Sequence, residues 1–88
     1  MVEVTVYKSP GCPRCEVLFE WLRKMDVEFV TKDASDTDVQ AELILQNVFD
    51  MDTPILELEG RFYLAGQLFE EGELRTSFLE KLLSGKRT

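Results

Sequence analysis

Val2-Glu3-Val4-Thr5-Val6-Tyr7-Lys8-Ser9-Pro10-Gly11-Cys12-Pro13-Arg14-Cys15 decides the fold, because a strand, a break and a helix start follow one another in it. Residues 2–7 alternate apolar and polar side chains at period two, the spacing of a strand with two unlike faces. Ser9-Pro10-Gly11 interrupts that pattern. Pro13 then occupies the position a helix gives to proline, its first, where the missing N–H would have no partner anyway. From there Cys15, Leu18, Phe19 and Leu22 fall at i, i+3, i+4 and i+7, one face of a helix, which Trp21 and Met25 widen. Glu20 precedes Lys24 by four residues. Arg23 and Lys24 stand near the C-terminal end, where cations suit the helix dipole.

Outward from this segment, Val27 to Lys32 reads as a second short strand. Ser35 followed by Asp38 resembles a capping box, and Ala41, Ile44, Leu45, Val48 and Phe49 give the next helix an apolar face. That helix must stop before Thr53-Pro54, since the residue ahead of a proline avoids helical angles. Ile55 to Leu58 and Arg61 to Leu64 read as two strands joined at Glu59-Gly60. Leu74, Phe78 and Leu82, with Leu79 and Leu83, predict a terminal helix, and Ser84-Gly85-Lys86-Arg87-Thr88 a frayed tail. The order β-α-β-α-β-β-α makes this an α/β chain. Its first βαβ unit pairs in parallel with a right-handed crossover and its hairpin is antiparallel, so one mixed sheet carries helices.

The spacing C-x-x-C between a first strand and its crossover helix is a redox signal. Cys12 stands just before the helix, facing N–H groups that have no partner within it. Those groups and the dipole favour an anion and lower the thiol pKa below the free value of about 8.5. Lys8 and Arg14 add positive charge nearby. Cys15 lies one turn in, on the face shared with Leu18 and Leu22, where burial favours the neutral thiol. Cys12 is therefore expected to attack a disulfide and Cys15 to resolve the mixed disulfide that results.

The chain has two cysteines and no histidine. A Cys-His or Ser-His-Asp mechanism is excluded, and a mononuclear zinc site within one chain is two soft ligands short. The alternative use of the thiols is as a carrier of Cu(I), or of zinc or an iron–sulfur cluster shared between two chains. The sets Asp33, Asp36, Asp38 and Glu70, Glu71, Glu73 read as charges at helix starts rather than metal sites, and Trp21 as packing.

Eighty-eight residues make one domain, 1–88. Net charge is −7; residues 1–15 carry +1 and the remainder −8. An acidic body argues against nucleic acid and against an anionic membrane surface. No apolar run approaches the length of a membrane span, and residues 1–4 show no leader pattern, so the expected location is the cytoplasm.

Over essentially its full length the sequence resembles the glutaredoxins and glutaredoxin-like thioredoxins. Residues 6–15 look like their active-site segment, Thr53-Pro54 like their cis-proline loop, and Leu64-Ala65-Gly66 like the turn that closes their substrate groove. The resemblance implies a thioredoxin-like fold with sheet order 2-1-3-4, a cis Thr53–Pro54 bond facing the cysteines, and a groove built from Lys8, Pro13, Arg14, Thr53, Pro54 and Gly66. It implies a monomeric dithiol–disulfide oxidoreductase without a resident cofactor, recycled by an upstream reductase or by glutathione. Where this family has an aromatic residue between the cysteines, Arg14 stands. Where it has a polar pair for the glutathione γ-glutamyl end, Gln67-Leu68 stands. Client protein disulfides are thus expected ahead of glutathione.

Overall fold

The period-two segment forms β1 (Val4–Lys8) in the computed structural model, which describes residues 3–49 and 52–84. Residues 1 and 2, and 85–88 of the expected tail, lie outside the described residues. Alternation does what it predicts. Val4 and Val6 face one side of the sheet, packing with Leu56 and Leu58, while Tyr7 faces the other with Ile55. Strand β2 (Val30–Asp33) runs parallel to β1, and β3 (Ile55–Leu58) antiparallel to it. β4 (Arg61–Tyr63) pairs antiparallel with β3, so the sheet order is β2-β1-β3-β4. Register places Val6 opposite Leu56 and Tyr7 opposite Ile55, so each face presents matched apolar rows.

Helix α1 (Pro13–Lys24) buries Cys15, Leu18, Phe19 and Leu22, the predicted face, against the Val4–Val6 side. Trp21 is partly buried against the same cluster. Met25 is exposed at the helix end instead of widening the face. Asp26 takes a left-handed φ of 59°, the Asp26 N–H bonds to the Arg23 carbonyl, and the Val27 N–H reaches back to the Leu22 carbonyl. This is a Schellman closure. It draws Val27 onto the α1 cluster, so β2 starts at Val30 and not at Val27 as the composition of that stretch predicts.

The same closure corrects the reading of α2 (Thr37–Leu45). Asn47 has φ 64°, its N–H bonds to the Ile44 carbonyl, and the Val48 N–H bonds to the Leu43 carbonyl. The helix therefore stops at Leu45, and Val48 folds back onto Leu43 rather than continuing the turn. Leu43, Val48 and the partly buried Val39 pack against Tyr7, Ala34 and Ile55 on the second face of the sheet. Ile44, Leu45 and Phe49, expected on the inner face, are exposed. The cap is also different from the one predicted. Asp36 is the N-cap and its carboxylate accepts the Asp38 N–H at 2.8 Å, while the Ser35 hydroxyl and N–H both donate to Asp33. Those two bonds hold the exposed Asp33 carboxyl below its ordinary pKa. Asp36→Ala is expected to destabilise the protein by about 1 kcal/mol, read from urea unfolding. Ser35→Ala should have a smaller effect, and the reverse order would contradict this cap assignment.

Beyond β4 the chain holds more structure than the sequence reading provides. A single-turn helix α3 (Ala65–Leu68) and a hairpin of β5 (Phe69–Glu70) and β6 (Glu73–Leu74) precede the last helix, α4 (Thr76–Ser84). Leu74, whose spacing predicts the terminal helix, is in β6, and Glu70, Glu71 and Glu73 sit in the hairpin rather than at a helix start. Glu71 and Gly72 turn the hairpin with φ of 52° and 81°, the values being close to those of Glu59 and Gly60 (48° and 81°) between β3 and β4. Positive φ at both central residues marks the type I′ turn that fits strand twist. Leu68, Phe69 and Leu79 complete the cluster that holds α1 to the sheet.

Candidate active site

Cys12 is the N-cap of α1. Its backbone is extended (φ −103°, ψ 101°) and its Sγ accepts the Cys15 N–H at 3.1 Å. Pro13, at the first helical position, fixes where the helix begins and so where that N–H points. Gly11, with φ 65°, gives the chain the left-handed step that brings Cys12 to the cap. Cys12 and Cys15 are joined in a disulfide. The two sulfurs are not equivalent: Cys12 is partly exposed, whereas Cys15 is 2% exposed and belongs to the apolar cluster under α1.

A cleft of about 480 Å³ opens on the pair, lined by Lys8, Ser9, Gly11, Cys12, Pro13 and Cys15 among others, with Glu16 on its α1 side. From the start of the neighbouring strand β3, the Thr53–Pro54 segment, a cis bond, brings Thr53 against Cys12. The Thr53 hydroxyl donates to Cys12 Sγ at 3.4 Å, and the Thr53 carbonyl lies 3.7 Å from the same sulfur. Thr53 and Pro54 are both buried. Lys8, Pro13 and Thr53 are thus gathered around the cysteines, and Pro54 follows Thr53 in the chain.

Arg14 and Gly66 are placed differently. Arg14 is exposed, and its guanidinium lies over the Phe69 ring at 5.9 Å from the ring centre, tying α1 to the β5–β6 hairpin. Gly66 is exposed within α3, with open space where a Cβ would stand. The two residues after it are engaged locally. The Gln67 side chain accepts the Leu64 N–H at 2.9 Å, capping α3, and Leu68 is fully buried. Ser9 is a site residue that the sequence reading passes over: its hydroxyl is 2.6 Å from that of Thr53. The breaker cluster marked it as a turn residue, and only the packing of residue 53 reveals its partner.

On the far face of the sheet the buried Tyr7 hydroxyl donates to Glu57 at 2.7 Å. Burial first, and then that bond, push the phenol far above its ordinary pKa, so it remains a neutral donor. Among the described residues, no group of three or more Cys, Asp or Glu converges as metal ligands would, and no helix is long and apolar enough to cross a membrane.

A family model described as Glutaredoxin matches residues 4–62, which include the cysteine pair, Thr53–Pro54 and the β3–β4 turn. Among solved structures, the chain is similar to the thioredoxin-like protein BC3987, with a TM-score of 0.70, 21% identity, and coverage of 90% of this chain and 97% of that one. A mutant of the same protein gives a TM-score of 0.71, 22% identity, and coverage of 91% and 97%. At such identity the likeness speaks for a thioredoxin-like fold. No curated protein matches the chain.

Proposed function

Since the chain belongs to the glutaredoxin family, we propose that it is a dithiol–disulfide oxidoreductase that reduces disulfides in client proteins. The observation that carries this reading is the inequality of the joined cysteines: Cys12 caps a helix at the edge of a cleft, and Cys15 is buried behind it. In the reduced protein the Cys12 thiolate attacks one sulfur of a client disulfide. That S–S bond breaks and the second client sulfur leaves as a thiolate, which takes up a proton. Cys15 then gives up its proton and attacks Cys12 Sγ, expelling the first client sulfur. Two electrons pass to the client, and a thiol reductant or a reductase returns two electrons and two protons to the pair.

The client segment is proposed to lie along the cleft beside Lys8 and Pro13, against the turn at Thr53–Pro54. Pro54 has no N–H of its own, so the backbone before it is free of that ladder bond. Both thiols are on one chain, so the acting unit is proposed to be a monomer. A reducing compartment, the cytoplasm, would keep the pair as a dithiol between cycles. Carriage of a metal ion would need a two-coordinate ion or a second chain, and metal content of the freshly reduced protein separates that use from this one.

Glutathione is the weaker substrate in this account. The positions that would offer polar groups to its γ-glutamyl end are engaged, Gln67 in capping α3 and Leu68 in the core. A polar ligand group left without a partner is rejected strongly, so reduction of insulin is expected to exceed that of a glutathione mixed disulfide by about tenfold or more in kcat/KM. Preference for the glutathione substrate would overturn this assignment and make Lys8 or Arg14 its carboxylate partner.

A further inference from the structure

Ser9, just after β1, and Thr53, just before β3, are 44 residues apart, yet their hydroxyl oxygens are 2.6 Å from each other. Thr53 Oγ1 is in turn 3.4 Å from Cys12 Sγ. Each hydroxyl has one proton to give. If Thr53 gave its proton to Ser9, none would remain for the sulfur. A thiolate at Cys12 is the strongest acceptor in this group, so it fixes the order: Ser9 donates to Thr53 and Thr53 donates to Cys12. Thr53 is 5% exposed, so water competes little for this chain. Hydrogen bonds in series polarise one another, and those that end on a charge are the stronger kind.

We propose that Ser9 and Thr53 form a hydroxyl relay that holds reduced Cys12 as its thiolate and so sets its reactivity at neutral pH. Thr53 touches the reacting sulfur; Ser9 is a positioning residue that acts only through Thr53. The Thr53 carbonyl, 3.7 Å from Sγ, faces the same atom as an acceptor and favours the protonated thiol. The hydroxyl chain opposes it, alongside the Cys15 N–H at 3.1 Å. The charged groups on the surrounding elements are Lys8 on β1, Arg14 and Glu16 in the first turn of α1, and Asp52 beside Thr53. All of them stay unchanged in the variants below. The proposal rests on the oxidoreductase reading only in taking Cys12 as the attacking sulfur.

The test is the pH dependence of Cys12 alkylation by iodoacetamide in the fully reduced protein, with the labelled cysteine assigned by peptide mass. Thr53→Val keeps nearly the same shape without the hydroxyl and is expected to lower the thiolate fraction below the pKa by about tenfold, the effect of one charge-assisted bond. Thr53→Ser should restore the wild-type profile. Ser9→Ala should lower the fraction by about two- to threefold in the wild-type background and by nothing measurable in the Thr53→Val background. An unchanged profile for Thr53→Val would overturn the relay, as would a Ser9→Ala effect of equal size in both backgrounds. Insulin reduction by the wild type is scored separately: its failure would sink the oxidoreductase reading and leave the relay standing.

Discussion

Cys12→Ser is expected to abolish disulfide reduction while leaving the fold intact. Serine is a favoured N-cap, and its hydroxyl can accept the Cys15 N–H that Cys12 Sγ now accepts, so α1 keeps its start. What the variant lacks is the proposed nucleophile. A serine hydroxyl attacks only with a base beside it, and the chain contains no histidine to provide one. Cys15 cannot take over from its place among Leu18, Phe19 and Leu22, where it is 2% exposed. Thermal unfolding of the variant should match that of the reduced wild type, which separates a missing thiol from a damaged fold. Residual insulin reduction above the rate of the buffer thiol would contradict the role given to Cys12.

The second large effect concerns the two thiols of the reduced protein. Cys12 has the helix N-terminus, the Cys15 N–H and the Thr53 hydroxyl directed at its sulfur, and each favours the thiolate. Cys15 is enclosed by apolar side chains, which raise a thiol pKa by penalising the charged form. Lower pKa and greater exposure act in the same direction. Alkylation at pH 7 is therefore expected to label Cys12 faster than Cys15 by about two orders of magnitude. The pKa of Cys12 is expected below the free-thiol value of about 8.5 and that of Cys15 above it. Peptide mapping of a time course reads both rates, and equal labelling would contradict the division of roles.

The parts of this structure that were legible in the sequence are those written in local periodicity. Residues 4–8 alternate, residues 15–22 repeat at helical spacing, and Glu59-Gly60 separates two apolar runs; each became the element expected. The errors lie where a terminating motif overrides periodicity. Asp26 and Asn47, both non-glycine residues at positive φ, close α1 and α2 and turn Val27 and Val48 back onto them, so apolar residues that seem to continue an element end it instead. The β5–β6 hairpin has strands of two residues, too short to show alternation, although its Glu71-Gly72 turn repeats the dipeptide that marks the first hairpin. At the site, Cys12, Cys15 and Thr53–Pro54 were legible because their spacing or chemistry is local or resembles the family's segments. Ser9 was not, since a hydroxyl acquires meaning only from what packs on it. The expectation that Arg14 lies in the groove met a competing partner, the Phe69 ring.

The most direct test of the central claim, that Cys12 attacks and Cys15 resolves, is intact-mass spectrometry of Cys15→Ser and Cys12→Ser after each has met a client disulfide. Cys15→Ser is expected to accumulate a mixed disulfide with the client, because attack proceeds and the resolving thiol is missing, while Cys12→Ser remains unmodified. An adduct on Cys12→Ser through Cys15, with Cys15→Ser left bare, would contradict it.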